Sequence, residues 1–297
     1  FFLFIIESIL RFTRIIVEKI KMKKINFLIA TFGVSFFTSL LVAQDRMPPG
    51  YCGDGFCSLD DWQADCSLDC SIQESAQFIY VDDDLLDNST AQFCSVQMAL
   101  EAIGVLSSNI ERTIVVSPGI YTGYDEPEGI FDYLLPVPSS GFSTLIITSA
   151  DGAESTIFDG QNERIGLSVG SANTTNNKTI TVSGFTFQNF LGPGAAARIF
   201  NAPNTKITDC VFKNNSTFTN GPSINGGAVS IYGPGEGSNL KPELKNCVFM
   251  NNYAKGAGGA VFVAGFARPY FKSCTFIGNV SDRGGGAINL WYDTGGK

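Results

Sequence analysis

The stretch "CVFMNNYAKGAGGAVFV", residues 247–263, contains pieces that occur twice more nearby. "CVFKNN" begins at Cys210 and is followed by "GGAVSIY", and "CTFIGN" begins at Cys274 and is followed by "GGAINLW". A period of roughly 20–50 residues is typical of a solenoid, whose units bury their apolar face only by stacking on one another. The sequence therefore predicts a stack of similar units in its last third.

The repeats align on a phenylalanine, and the successive gaps are 25, 37 and 27 residues. The last three repeats have cysteine two positions before the phenylalanine and asparagine three positions after it. The 37-residue gap contains "GPGEGSNLKPE", which indicates a loop insertion. The aligned residues are Phe187, Phe212, Phe249 and Phe276, with Cys210, Cys247 and Cys274, and with Asn215, Asn252 and Asn279.

Each unit is predicted to form one coil of a parallel β-helix, because it holds short apolar runs separated by Gly, Asn, Asp and Ser. Coils of this kind stack at ~4.8 Å. Cysteine and phenylalanine two positions apart point to the same side of a strand, so stacking predicts a cysteine ladder and a phenylalanine ladder inside the coil. The asparagine is expected at a corner, with unusual backbone angles and a bond to the neighbouring coil. The paired glycines supply positive φ and close approach.

The strand after each Gly-Gly-Ala is predicted to point alternate aliphatic side chains inward. The residues between them, including Ser230, Phe262 and Asn289, are then expected to face outward, together with Tyr232 and Trp291. We take the aromatic members, Tyr232, Phe262 and Trp291, as candidates for a strip on which a sugar stacks. Scattered surface aromatics are the alternative interpretation.

The chain has 297 residues, and we divide it into four parts. Residues 1–21 precede the first Met and are interpreted as an upstream artefact, with a transmembrane or signal-anchor segment as the alternative. Residues 22–43 have the basic start, apolar run and small terminal residue of a secretory signal peptide. Residues 44–77 hold a cysteine-rich module and a linker. Residues 78–297 are interpreted as the N-terminal part of a β-helix domain truncated at its C-terminus.

The charge of the chain narrows the class of partner. Residues 1–43 hold six of the 20 basic and two of the 28 acidic residues, so the remainder has a net charge of −12. This balance disfavours nucleic acid and anionic membrane as partners and suits a secreted or outer-surface protein. No histidine occurs in the sequence, which excludes Ser-His-Asp and Cys-His catalysis within this stretch.

The segment "CGDGFCSLDDWQADCSLDC", residues 52–70, is too short to bury a core and needs cross-links. Two disulfides among Cys52, Cys57, Cys66 and Cys70 fit an exported protein, although the pairing stays open; tetrathiolate zinc is the alternative. The segment resembles the "CGDGxC…C…DC" modules of secreted bacterial proteins. Asp54 and Asp69 are calcium candidates, and a solvated acidic loop is the competing interpretation.

The segment "SVQMALEAIGVL" is predicted to be a helix, because Val96, Ala99, Leu100 and Ile103 fall at i, i+3, i+4 and i+7. We expect the helix, over Val96–Leu106, to cover the N-terminal end of the solenoid, where an open β-helix would expose unpaired backbone.

Two family resemblances follow from these motifs. The run "FIYVDDD…CSVQMALEAI…TIVVSPGIYTG…LIITS…STIFDGQ" resembles the start of bacterial right-handed β-helix proteins with the pectin-lyase-like fold. "CVFMNNYAKGAGGAVFV" and "CTFIGNVSDRGGGAINL" resemble the repeats of chlamydial-type polymorphic outer-membrane proteins. The resemblances imply an all-β, right-handed parallel β-helix solenoid at the cell envelope. The resemblances do not predict an activity, because both enzymes and adhesins have this fold.

Catalytic motifs of the fold's polysaccharide enzymes are not recognisable in the sequence. It has no His-Gly or Arg-x-Lys motif, and "FARPYFK" departs from the Arg-x-Pro-x-x-Arg pattern of pectate-lyase-like enzymes. Arg268, Asp282 and Arg283 are the remaining weak catalytic candidates. The ladder cysteines are interpreted as free thiols in the core, since stacked thiols fit disulfide geometry poorly.

The sequence is therefore compatible with two functions. The first is a non-catalytic secreted or outer-surface β-helix that acts in adhesion or as an extended scaffold, with a polysaccharide or a neighbouring cell surface as partner. The second is a calcium-dependent polysaccharide lyase or hydrolase, or a binder of acidic glycans.

Overall fold

A computed structural model describes residues 72–82, 91–122, 133–170, 177–217, 225–236 and 240–291. In this part of the chain three parallel sheets, one strand pair and one helix are present. Sheet 1 contains β1 (Phe78–Val81), β2 (Glu111–Val116), β5 (Thr144–Ser149), β8 (Thr179–Ser183), β11 (Thr205–Thr208), β14 (Glu243–Lys245) and β18 (Tyr270–Lys272). Sheet 2 contains β3 (Gly119–Tyr121), β6 (Thr156–Asp159), β9 (Thr186–Gln188), β12 (Val211–Lys213), β15 (Val248–Met250) and β19 (Thr275–Ile277). Sheet 3 contains β4 (Tyr133–Pro136), β7 (Ile165–Gly170), β10 (Ala197–Phe200), β13 (Val229–Tyr232), β17 (Val261–Ala264) and β21 (Ile288–Trp291). The pair is β16 (Tyr253–Ala254) with β20 (Val280–Ser281), and the helix is α1 (Val96–Gly104).

The chain winds as a parallel β-helix solenoid. From β2 onward it passes through sheet 1, sheet 2 and sheet 3 in turn, and each strand pairs in parallel with the equivalent strand of the next coil. Six successive coils result in the described part: β2–β4, β5–β7, β8–β10, β11–β13, β14–β17 and β18–β21. Because each coil adds one strand to each sheet, equivalent side chains of successive coils form columns parallel to the solenoid axis. Residues one repeat apart in the sequence are therefore neighbours in space.

A phenylalanine row forms the centre of the core. Phe187, Phe212, Phe249 and Phe276 are register partners on sheet 2. Their rings stack with centroid distances of 5.2, 4.9 and 4.8 Å and interplanar angles of 8°, 7° and 5°. The row continues into earlier coils through Phe158, which the sequence alignment missed. Burial of these rings supplies much of the hydrophobic stabilisation of each coil.

An asparagine row lies beside the phenylalanine row. The amide nitrogen of Asn252 donates to the carbonyl of Phe212 at 3.0 Å and to Oδ1 of Asn279 at 2.8 Å, while its own Oδ1 accepts from the backbone N–H of Asn215 at 3.1 Å. The predicted bond to the neighbouring coil is therefore present. The predicted backbone angle is wrong: the left-handed residue is one position earlier, as at Asn251 with φ 54°.

The second glycine of each pair has a steric role. A β-carbon on Gly259 would lie 2.1 Å from the carbonyl oxygen of Gly286 and 2.5 Å from that of Val280. Gly227 is equally crowded, with the oxygen of Gly259 at 2.2 Å. The coils pass so close at this corner that no side chain fits between them.

The first glycine folds the chain back over the outer side of sheet 3. Gly226 and Gly258 have φ of 71° and 73°, and a β-carbon on Gly226 would reach Oγ of Ser230 at 2.4 Å. This arch explains why Ser230 and Phe262 are 0% and 2% exposed. Both side chains lie on the outer side of sheet 3 as predicted, but they do not reach solvent, because the chain preceding each strand covers them.

Helix α1 begins at the N-cap Ser95, whose side chain accepts a hydrogen bond from the backbone N–H of Gln97 at 3.1 Å. It ends at Gly104, two residues before the predicted end. The apolar stripe predicted from sequence is buried, and the helix packs against β4, β1 and β2 in the earliest part of the solenoid.

Residues 72–77 pack against this same region. Ile72 is buried, and the carboxylate of Glu74 accepts hydrogen bonds from the backbone N–H groups of Ser107 and Ser108 at 3.0 and 2.8 Å. The fully buried Arg112 donates to the carbonyls of Glu74 and Ala76. The last residues of the stretch interpreted as a linker are thereby fixed to the solenoid.

Candidate functional site

The cysteine row fills the core next to the phenylalanines. Cys210, Cys247 and Cys274 are free thiols, and the first two are buried. Burial raises the pKa of Cys210 to about 12, so this thiol stays protonated. Its Sγ donates to the carbonyl of Thr208 at 3.1 Å. A protonated, enclosed thiol acts as a small apolar side chain and not as a nucleophile.

Cys247 and Cys274 interact with one another. The neighbouring thiol of Cys274 and burial raise the pKa of Cys247, so this thiol stays protonated. Cys274 is half-buried in the last coil, and its Sγ donates to the carbonyl of Leu244 at 3.3 Å. Of these three thiols it is the most exposed.

The catalytic candidates lie in two different turns of the solenoid. Arg268 lies in the turn between β17 and β18, while Asp282 and Arg283 lie between β20 and β21. Asp282 forms an ion pair with Lys255, with Nζ and Oδ2 3.0 Å apart, and accepts a hydrogen bond from the hydroxyl of Tyr253 at 3.0 Å. These partners lower the pKa of Asp282. The carboxylate thus joins β16 to β20 and stays ionised, which suits a structural bond better than general acid catalysis.

The three stacking candidates belong to a longer aromatic row on the outer side of sheet 3. Phe200, which sequence reasoning missed, stacks on Tyr232 with centroids 4.8 Å apart and an interplanar angle of 7°. Tyr232 then contacts Phe262 at 5.8 Å, and Phe262 contacts Trp291 edge-on at 6.1 Å. The sequence signal for Phe200 is the segment "ARIF", whose phenylalanine is the register partner of the tyrosine of "VSIY" in the next coil.

The packing of this aromatic row limits the ring surface that is available to a sugar. A sugar ring packs against the face of an aromatic side chain, but Phe200 and Tyr232 each have one face covered by the other ring, and the guanidinium of Arg198 also lies over the ring of Phe200. Phe262 is buried. Trp291, with 57% of its surface exposed, is the member of the strip that keeps a broad accessible surface.

The cysteine-rich module lies outside the described residues, so its proposed disulfides, with Asp54 and Asp69, stay predictions. Within the described ranges no group of three or more Cys, Asp or Glu side chains could hold a metal ion. In the same ranges, no helix has the length and apolar character needed to cross a membrane.

Comparison with known families identifies two repeats. Residues 246–264 and 273–290 both match the Chlamydia polymorphic membrane protein repeat. The first match contains β15, β16 and β17, and the second contains β19, β20 and most of β21. Comparisons with curated proteins and with solved structures found no match.

The geometry explains what the repeat motif does. Its phenylalanine, cysteine and asparagine fill the interior columns, and its glycines allow two coils to pass closely. These positions of the motif therefore build the coil. A ligand would contact the residues that face outward.

Proposed function

We propose that this protein is exported to the cell surface, where its β-helix acts without catalysis in adhesion or as an extended scaffold. The observation that carries the proposal is the repeat of polymorphic membrane proteins in two successive coils. The stacked coils support it further, since a solenoid offers long surfaces for contact. We further propose a right-handed winding, as parallel crossover connections prefer, and a capping role for α1.

The enzymatic alternative has less support from the geometry. Arg268 and Asp282 lie at separate corners, and Asp282 already has a cation and a hydroxyl as partners. A lyase would need a base, a charge-neutralising group and the substrate carboxylate close together.

The test uses intact cells that express the full chain. An antibody against residues 78–297 should label these cells, and brief treatment of the cells with a protease should remove the label. Beads coated with the purified full chain should adhere to cells or to a glycan-bearing matrix more strongly than albumin-coated beads. Labelling that requires permeabilised cells would overturn the surface location, and equal adherence of both kinds of bead would overturn the adhesive role.

A further inference from the structure

The outer side of sheet 1 carries a concentration of positive charge in its last three coils. The side chains form short rows along the solenoid axis, because they occupy register positions on β11, β14 and β18 or in the turns before β14 and β18. We call this surface the basic face; its cations are Lys206, Lys241, Lys245, Arg268 and Lys272. One carboxylate, Glu243, lies among them as the register partner of Lys206. Five cations against one carboxylate stand out in a chain of net charge −8.

Two of these rows place like charges next to one another. Lys245 and Lys272 are register partners in neighbouring coils. The backbone N–H of Arg268 bonds to the carbonyl of Leu240, which makes Arg268 the neighbour of Lys241 in the same pattern that pairs the adjacent residues of the two strands. Like charges directly opposite one another destabilise a sheet. An anion that binds across both cations of a pair would offset this repulsion.

These cations are available for binding. Lys206, Lys241, Arg268 and Lys272 are exposed, and Lys245 is half-buried. Within the described part of the chain, no carboxylate lies within the 4.0 Å ion-pair distance of any of the five. By contrast Lys255, on another corner, is paired with Asp282. The positive charge of the basic face is therefore not neutralised by that part of the protein.

A groove adjoins the basic face. It has a volume of about 550 Å³, within the range of ligand sites. Lys206, Lys241 and Glu243 line one part of it, and the rest is lined by Pro203 and by residues with amide or hydroxyl side chains, Asn177, Thr179, Asn204 and Thr205. Cations beside amides and hydroxyls match a ligand that carries both anionic groups and alcohols. The exposed ring of Tyr270, between the two rows of paired cations, adds an apolar surface for a sugar ring.

We propose that the basic face binds a linear acidic polysaccharide, carboxylated or sulfated, along the solenoid axis. The inference rests on the proposed surface function and names the chemistry of the partner. An extended glycan needs only a narrow strip, and its anionic groups can bridge cations of successive coils. A nucleic acid or an anionic bilayer presents a broader anionic surface than this narrow strip of five cations matches.

The test measures binding of the full chain to immobilised polygalacturonate, heparin, neutral dextran and double-stranded DNA at 0.15 M salt. We expect binding to at least one of the two acidic polysaccharides and not to dextran. Reversing two charges, Lys245→Glu with Lys272→Glu, should weaken that binding at least tenfold. The matched control, Lys213→Glu with Arg283→Glu, changes the net charge equally on other surfaces and should change the binding less than twofold.

The outcomes separate this inference from the proposed function. Equal loss in both double variants would show a response to net charge alone and would overturn the basic face as a site. Binding to DNA as tight as to the glycan, lost in the same variant, would overturn the choice of a polysaccharide. No binding to either acidic polysaccharide, in a protein that antibody detects on intact cells, would overturn this inference and leave the surface location standing. Thermal unfolding of each variant checks that the fold is retained.

Discussion

The third and fifth coils solve the same packing problem with different residues. Both place a phenylalanine at the centre of sheet 2, at Phe187 and Phe249, and both bury it completely. The flanking positions differ: the third coil carries Phe185, Phe190 and Ala195 where the fifth carries Cys247, Asn252 and Gly259.

The difference shows which positions are fixed by the fold and which by local chemistry. The early interior is apolar and aromatic, so a neighbouring coil needs only to match its volume. The later interior contains amides, which must be hydrogen-bonded when buried. The two regions meet where the backbone N–H of Phe190 donates to Oδ1 of Asn215 at 3.0 Å. The phenylalanine row is common to both regions and therefore defines the solenoid.

The largest expected effect tests this common row. Phe158→Ala in an early coil and Phe212→Ala in a later one should each lower the free energy of unfolding by about 3–5 kcal/mol, because both rings are fully buried and leave a cavity. Denaturant unfolding measures the change. A loss for Phe158→Ala well below that of Phe212→Ala would break the comparison, since the early coils would then not depend on the row.

A second change would make the fifth coil resemble the third. Gly259→Ala introduces the residue that the third coil has at Ala195, but its β-carbon would overlap two carbonyl oxygens. We expect a loss of about 2–3 kcal/mol in unfolding free energy.

The control for that change is Gly152→Ala. Gly152 has φ 87° but no atom within 4 Å of the added carbon, so only backbone strain of about 1 kcal/mol applies. A loss for Gly259→Ala no larger than that for Gly152→Ala would mean that the close passage of coils does not require glycine at this corner.

The smallest effect concerns the earliest part of the solenoid. Hydrogen bonds from Ser108 and Ser107 lower the pKa of Glu74 from 4.5 to about 2. A carboxylate whose pKa is lowered by folding stabilises the protein above pH 4.5, and that contribution is lost as the pH falls towards 2.

The corresponding variant is Glu74→Gln, compared with wild type by thermal unfolding at pH 6 and pH 3. Wild type should lose more stability between these two values than the variant does. Glu154→Gln, at an exposed loop residue, is the control and should behave as wild type. An identical pH dependence in all three proteins would contradict the role given to Glu74.

The sequence predicts the later coils well because their motif contains three unlike residues at fixed spacing. Phenylalanine, cysteine and asparagine at fixed spacing define how one repeat aligns with the next, whereas a single repeated residue does not. Phe158 has neither partner, so its place in the row becomes visible only through the register with Phe187. The early coils follow the same geometry without the marker residues that would reveal it.

Other features could not be predicted because they depend on contacts between distant segments. Strand alternation predicts that Ser230 and Phe262 face away from the core, but it carries no information about the glycine arches that cover them. Arg112 has the same strand phase as the buried Ile114 and Val116, although an arginine is seldom fully buried. Its full burial follows from residues 72–77, whose carbonyls accept its hydrogen bonds.

The asparagine row also has a direction. Asn215 donates through Nδ2 to Oδ1 of Asn252, and Asn252 donates in the same way to Asn279, so the side-chain dipoles align head to tail. Hydrogen bonds in such a chain polarise one another, and each further link strengthens those before it. Folding of these coils should therefore resemble the growth of a one-dimensional crystal, in which the first contact between coils is the least favourable and later additions become progressively easier.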